Sequence, residues 1–313
     1  MAKTIIITGA SGRLGQACAQ AFTHAGWHVV PHSLTPGSST NNPALPAHAD
    51  VLLHAANPPY TQWHTQALPA LEQAITISSR LGATLMLPGN VYNYQPLPAC
   101  VDESAAQTST THKGRIRMAM EARLAVAAQN GMRSVVLRAG DFFGTGSGSW
   151  FDLALTSKLQ SGQLVYPGAM DVVHAWAYLP DLAQAFVRLA ERRAQLAACE
   201  SVHFAGHSLT GHDWQHALQG IAAEQGWVQS SALLQPRNMP WALMRLLSPV
   251  VPMWREVLEM QYLWNQPHVL AGDRLHSIVG AVPHTPLHLA LQQALQQLNL
   301  VPSHQQQPGA ATI

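Results

Sequence analysis

The segment Ile5-Ile6-Ile7-Thr8-Gly9-Ala10-Ser11-Gly12-Arg13-Leu14-Gly15 sets an apolar β-branched run directly before three glycines spaced three apart. β-Branched runs favour buried strands, and the periodic stretch at 14–25 reads as a helix, so the glycines fall in a strand-to-helix turn. Glycine there permits a tight turn, close approach of backbone to a pyrophosphate and close helix-to-strand packing. The free amides and dipole of the helix N-terminus favour phosphate. Thr8, Gly9, Ser11, Gly12, Arg13, Leu14 and Gly15 are therefore the first candidate cofactor contacts.

Outward from this turn the chain alternates short apolar runs at 4–8, 28–31, 51–54, 84–87 and 134–138 with helical patterns at 14–25, 62–81 and 111–130. Such alternation builds βαβ units on a parallel sheet. Beyond residue 140 come a glycine-rich stretch at 144–148, a helix near 151–159, a strand near 172–178, a helix at 180–193 and a strand at 201–204. From about residue 206 the pattern is mainly helical. The expected fold is α/β, a Rossmann doubly wound parallel sheet with a smaller, mainly helical C-terminal substrate subdomain. The expected division is 1–205 for nucleotide binding, with 141–171 contributing to the substrate pocket, and 206–300 for the subdomain. The Gln-, Pro- and Ala-rich stretch at 301–313 has the composition of a disordered tail.

With 313 residues the chain can bury a large core, and 47% hydrophobic against 11% charged residues leaves its surface to neutral polar groups. A formal charge of +1 supplies no field for nucleic acid and no polybasic anchor for a membrane surface. Cys18, Cys100 and Cys199 form neither a disulfide framework nor a zinc spacing, which fits reduced thiols in a cytoplasmic protein. The apolar stretch from residue 241 to 254 is broken by Arg245 and two prolines, so it reads as a helix pair or lid over a pocket and not as a membrane span. His212 and His216 sit at i, i+4 near His203 and His207, but among 17 scattered histidines, with no Cys or carboxylate framework, they carry no metal assignment.

The sequence Thr8-Gly9-x-x-Gly12-x-x-Gly15 resembles the glycine motif of short-chain dehydrogenases/reductases, and three further stretches resemble the extended, epimerase/dehydratase-like branch. His54-Ala55-Ala56 is similar to the end of its central strand, where backbone passes the cofactor. Arg138-Ala139-Gly140-Asp141-Phe142-Phe143-Gly144 resembles its Arg-x-x-Asn-x-Tyr-Gly motif. Ala177-Tyr178-Leu179-Pro180-Asp181-Leu182-Ala183 resembles its later strand-to-helix step. The resemblance implies a nicotinamide cofactor held by the glycine loop, His54, Ala55 and Ala56, and a substrate pocket near Asn57, Asn90, Asp141, Phe142, Phe143 and Trp150. It also implies a homodimer through helices such as 111–130.

Two departures shape the functional expectation. The family's chemistry rests on a Ser or Thr and on Tyr-x-x-x-Lys; here Lys113 fills the Lys position, while Ser109 and Pro88 stand at the Tyr and Ser positions. Lys113 is expected to orient the nicotinamide ribose, and Tyr92 or Tyr94 to supply the proton. The acid that holds the ribose of NAD is also missing, since the end of the second strand reads Pro31-His32-Ser33. With Ser33 at that place and Arg13 in the loop, NADP is expected over NAD. The expected activity is that of an atypical NAD(P)-dependent oxidoreductase or epimerase-like enzyme acting on a small carbonyl or hydroxyl compound. Its rivals are a cofactor-binding redox sensor without turnover and a nucleotide-sugar epimerase or dehydratase.

Overall fold

Ile5, Ile6 and Ile7 are wholly buried, and they form the strand around which the chain folds. The computed structural model describes residues 2–34, 44–229 and 232–302. Its strands are β1 (Thr4–Thr8), β2 (His28–His32), β3 (Val51–His54), β4 (Thr84–Gly89), β5 (Cys100–Val101), β6 (Ser134–Arg138), β7 (Asp141–Phe143), β8 (Gln163–Tyr166), β9 (His174–Tyr178), β10 (Cys199–His203), β11 (His207–Leu209), β12 (Gln235–Asn238) and β13 (Val269–Leu270). Its helices are α1 (Arg13–His24), α2 (Trp63–Leu81), α3 (His112–Gln129), α4 (Leu179–Arg192), α5 (Gly211–Glu224), α6 (Trp241–Leu247), α7 (Pro252–Leu258), α8 (Asp273–Val279) and α9 (Leu287–Gln297).

Six strands pair in parallel in the order β10-β6-β4-β3-β1-β2. The expected α/β doubly wound sheet is thus present, and among the described residues β2 is its outermost strand on that side. One core, with Ile5, Ile7, Val135, Leu182 and Phe186, lies under α1, α4 and α8. The other, with Ile6, Leu52, Leu71, Leu85 and Leu124, lies under α2 and α3. Burial on both faces explains why the strands read as continuous apolar runs with no alternation.

A third core gathers Phe143, Phe151, Trp176, Trp214, Trp264 and Leu291. It draws on 143–178 as well as on α5 and α9, and that segment is shared among the three cores, with Ala177 in the first and Ala175 in the second. α8 returns to the large sheet, where Leu275 packs into the first core. The expected helix near 151–159 is a short π turn, Phe151–Leu155, with Asp152 accepting from the amides of Gly148 and Ser149 at its entry. The stretch at 241–254 opens into the pair α6 and α7, and no helix among the described residues is long and apolar enough to cross a membrane. Of the tail at 301–313, residues 303–313 lie outside the described residues.

Candidate active site

The chain leaves β1 for β2 on one side and comes back to β3 on the other, so the strand order reverses between β1 and β3 and opens a crevice at their C-terminal ends. The glycine loop lies at this crevice. Gly9 has φ +72°, and a Cβ there would come within 2.5 Å of the Ala56 Cα; a Cβ on Gly15 would come within 2.2 Å of the Gly9 carbonyl oxygen. Gly12 caps α1 without a side-chain hydrogen bond, which leaves the first helical amides available to a ligand. Thr8 Oγ1 lies 3.0 Å from His54 Nδ1 and ties the ends of β1 and β3 together. Burial, helped by the charge of Arg117, lowers the His54 imidazole to about 4, so it is neutral near pH 7.

Beside this crevice two phenols meet: Tyr60 Oη and Tyr92 Oη are 2.8 Å apart. Tyr92 sits in the 3-10 turn Val91–Asn93 after β4, positioned by Asn90, whose side-chain oxygen accepts from the Tyr92 amide at 3.1 Å. Burial raises the Tyr92 hydroxyl well above its ordinary range; Tyr60 and Asp141 add to the rise and Arg117 opposes it. Arg117 stacks on Trp63 at 4.8 Å and donates to the Pro88 carbonyl at 3.2 Å, while its buried Nε has no partner. Asp141, whose charge acts on the Tyr92 hydroxyl, has its Oδ2 2.7 Å from Nε2 of His174, whose ring stacks on Trp264 at 4.4 Å.

Lys113 is wholly buried with its Nζ 2.5 Å from Glu256 and 2.6 Å from Glu259, and its ammonium lies 5.2 Å from the Tyr60 ring centre. Glu259 also accepts from the amides of His112 and Lys113 at the start of α3, where a carboxylate complements the helix dipole. α7 is thereby fastened to the start of α3.

No family model and no curated protein matches this sequence. Solved structures do. A candidate epimerase from Burkholderia cenocepacia shares 18% identity at a TM-score of 0.71 over 96% of this chain and 99% of its own. UDP-glucose 4-epimerase from Brucella ovis, solved with NAD, shares 14% at 0.69 over 96% and 98%. dTDP-glucose 4,6-dehydratase from Bacillus anthracis, also solved with NAD, shares 11% at 0.69 over 95% and 97%. This chain has the extended short-chain dehydrogenase/reductase fold.

Within that fold the structure rearranges the expected catalytic helix. The cation beside Tyr92 is Arg117, one helical turn after Lys113, because the Lys113 ammonium is taken up by two glutamates. Ser109 is buried and bonded to Thr111 Oγ1 at 2.9 Å, against Gly114. The Tyr94 ring lies 5.2 Å from the Arg138 guanidinium, and Arg138 itself pairs with Glu121 at 2.9 Å. Arg13, expected beside a 2′-phosphate, donates from Nε and Nη2 to the Thr145 and Gly144 carbonyls, both at 2.8 Å. Phe143 is wholly buried and belongs to the third core, while Phe142 and Trp150 are half-buried and Asn57 is exposed at the end of β3.

Sequence reasoning missed Tyr60, Arg117, His174, Glu256 and Glu259. A signal for Arg117 was present, since Lys113-x-x-x-Arg117 places two cations on one helix face. Tyr60 had none: it follows Pro58-Pro59 in a loop and meets its partner across 32 residues of sequence. Among the described residues no cluster of three His, Cys, Asp or Glu could hold a metal ion.

Proposed function

We propose that the protein is an NAD(P)-dependent oxidoreductase or epimerase-like enzyme acting on a small carbonyl or hydroxyl compound. The observation that carries this reading is the glycine cradle at the β1/β3 crevice, where Gly9 and Gly15 leave no room for a Cβ and the α1 N-terminus lacks a side-chain cap. These residues fit a dinucleotide: Gly9, Gly12 and Gly15 would hold the pyrophosphate against the helix amides, with His54, Ala55 and Ala56 flanking it. When bound, the cofactor supplies or accepts hydride. Tyr92 holds the proton, kept neutral by its buried setting, and Tyr60 is its hydrogen-bonded neighbour. The charge of Arg117 offsets part of the cost of forming the phenolate. This donor supports an enzyme over a sensor without turnover.

NADP is proposed over NAD. The end of β2 carries His32 and Ser33 where a ribose-binding acid is expected, and the charge of Arg80 acts on His32. Arg13 gives this choice no support, being spent on the loop at 144–145.

Gly12→Ala tests the cradle. A Cβ at Gly12 would meet only the Gly9 carbonyl oxygen, at 3.3 Å, so folding should survive with little change in Tm. It would stand where the pyrophosphate must approach, and NADPH affinity, read by nicotinamide fluorescence, should fall at least about tenfold, the scale of one lost charge-assisted hydrogen bond. Unchanged affinity would remove the glycine loop from the binding site.

A further inference from the structure

Of the eight large apolar side chains exposed among the described residues, four lie close together in sequence: Leu243 and Leu246 on α6, Val250 in the link at 248–251, and Met253 on α7. Leu246 is 74% and Val250 75% exposed, so both project into solvent and neither lines a groove. Leu243, Leu246 and Val250 stand at i, i+3 and i+7, the spacing of one helix face. The chain keeps turning past α6, because Val250 and Val251 both donate to the Leu247 carbonyl at 3.0 Å. The body holds this hairpin in place: α7 packs on the Tyr60–Gln62 turn, and Glu256 and Glu259 reach Lys113. Exposed apolar side chains gathered in this way mark an interaction surface.

Charge selects what covers it. From Gln225 to Arg255 the sequence has no Asp or Glu and three arginines, Arg237, Arg245 and Arg255. Arg255 lies 3.7 Å from Glu256, and Lys113 with Arg255 balances Glu256 with Glu259. Arg237 and Arg245 remain as surplus positive charge; both are exposed, and Arg245 donates only to the neutral Gln261, at 3.2 Å. The residues that share a cleft with Trp241 and Ala242, Tyr166, Gln261 and Asn265 among them, are uncharged. The net charge of +1 for the whole chain conceals this local excess.

A second copy of the chain fits poorly, since a two-fold contact sets a patch against itself and would bring these arginines together with both nearby acids already paired. A bilayer with anionic lipid meets both features. Apolar side chains enter the boundary between headgroups and acyl chains, arginine heads stay with the phosphates, and tryptophans such as the half-buried Trp241 and Trp254 favour the same depth. We propose that the α6–α7 hairpin is a peripheral membrane contact for anionic lipid, entered by Leu243, Leu246, Val250 and Met253 and steered by Arg237 and Arg245. With seven residues in each helix the contact is interfacial and does not span.

Co-sedimentation of the full chain with vesicles tests this. Binding should be saturable on vesicles of phosphatidylcholine and phosphatidylglycerol in equal parts, weaker on phosphatidylcholine alone, and weakened by salt. Leu246→Asp with Val250→Asp changes only side chains that project into solvent, so Tm should hold while vesicle affinity falls at least about tenfold. Arg237→Gln with Arg245→Gln should cost roughly fivefold for each arginine and remove the preference for anionic vesicles. The proposal is overturned if the wild type does not sediment with anionic vesicles, if it binds neutral and anionic vesicles alike, or if both double variants bind as the wild type does. A dimer in vesicle-free size exclusion that Leu246→Asp with Val250→Asp abolishes would also overturn it, by giving the surface to a second copy.

Discussion

The hydroxyls of Tyr60 and Tyr92 share a hydrogen bond of 2.8 Å, although the two residues belong to loops after different strands. Tyr92 faces Arg117 and Asp141, and Tyr60 faces the Lys113 ammonium, so the pair links the two charged clusters of the site. Tyr92→Phe should lower kcat about 10²- to 10⁴-fold, the usual worth of a positioned general acid, without weakening NADPH binding. Tyr60→Phe keeps the donor and should cost less. Steady-state kinetics on the first substrate found for the wild type checks both, and a Tyr92→Phe enzyme of full activity would place the proton donor elsewhere.

Lys113 is 1% exposed and has two carboxylate partners, so its substitution should be felt first in folding. Lys113→Met leaves Glu256 and Glu259 facing each other without their cation. Breaking a buried pair by removing one partner costs about 3–5 kcal/mol, and the partial exposure of the glutamates puts this case toward the lower end. Urea unfolding measures it. Adding Glu256→Gln and Glu259→Gln to Lys113→Met should recover part of the loss, because the repulsion disappears with the charges. A Lys113→Met protein as stable as the wild type would mean that these ion pairs contribute nothing.

The glycine loop was legible in the sequence because its cause is local: Gly9, Ala10 and Gly15 crowd one another within one turn, and Ile5 to Ile7 announce the strand before it. The central strands were legible for a related reason, since a sheet buried on both faces writes itself as unbroken apolar runs. The site beside the loop was not. Lys113 meets Glu256 and Glu259 across 143 and 146 residues, and no periodicity in α3 reports that α7 folds back over it. Arg13 illustrates the same limit: its position in the loop is local, but its partners Gly144 and Thr145 are 131 and 132 residues away.

Three histidines should make the fold acid-sensitive. Burial lowers His268 to about 3, His54 to about 4 and His207 to about 4, against an ordinary 6.5. The unfolded chain therefore takes up protons that the folded chain refuses as pH drops from 6.5 toward 4. Stability is present in full above pH 6.5 and is lost as pH falls through that window, with a limiting slope of about 1.4 kcal/mol per pH unit for each histidine. Urea unfolding at a series of pH values should show a plateau near neutrality and a decline below it. His268→Asn should flatten the decline by one proton's share, and an unchanged slope in that variant would mean that His268 is not held neutral.

Cofactor choice separates two arginine roles that the sequence alone merged. Arg13 joins α1 to the loop at 144–145 through two hydrogen bonds of 2.8 Å, so Arg13→Ala should lower Tm and weaken NADPH and NADH binding by the same factor. The preference itself should follow the end of β2, where His32 and Ser33 stand in place of a ribose-binding acid. Wild type should therefore bind NADPH more tightly than NADH. Ser33→Asp should reverse that order, weakening NADPH at least about tenfold by like-charge repulsion while NADH gains an acceptor for its ribose hydroxyl. Fluorescence titration of both cofactors against the three proteins checks each step. If Arg13→Ala lowers NADPH affinity alone, Arg13 leaves the 144–145 carbonyls when cofactor binds and contacts the 2′-phosphate. If wild type prefers NADH, the NADP assignment falls with the reading of Ser33.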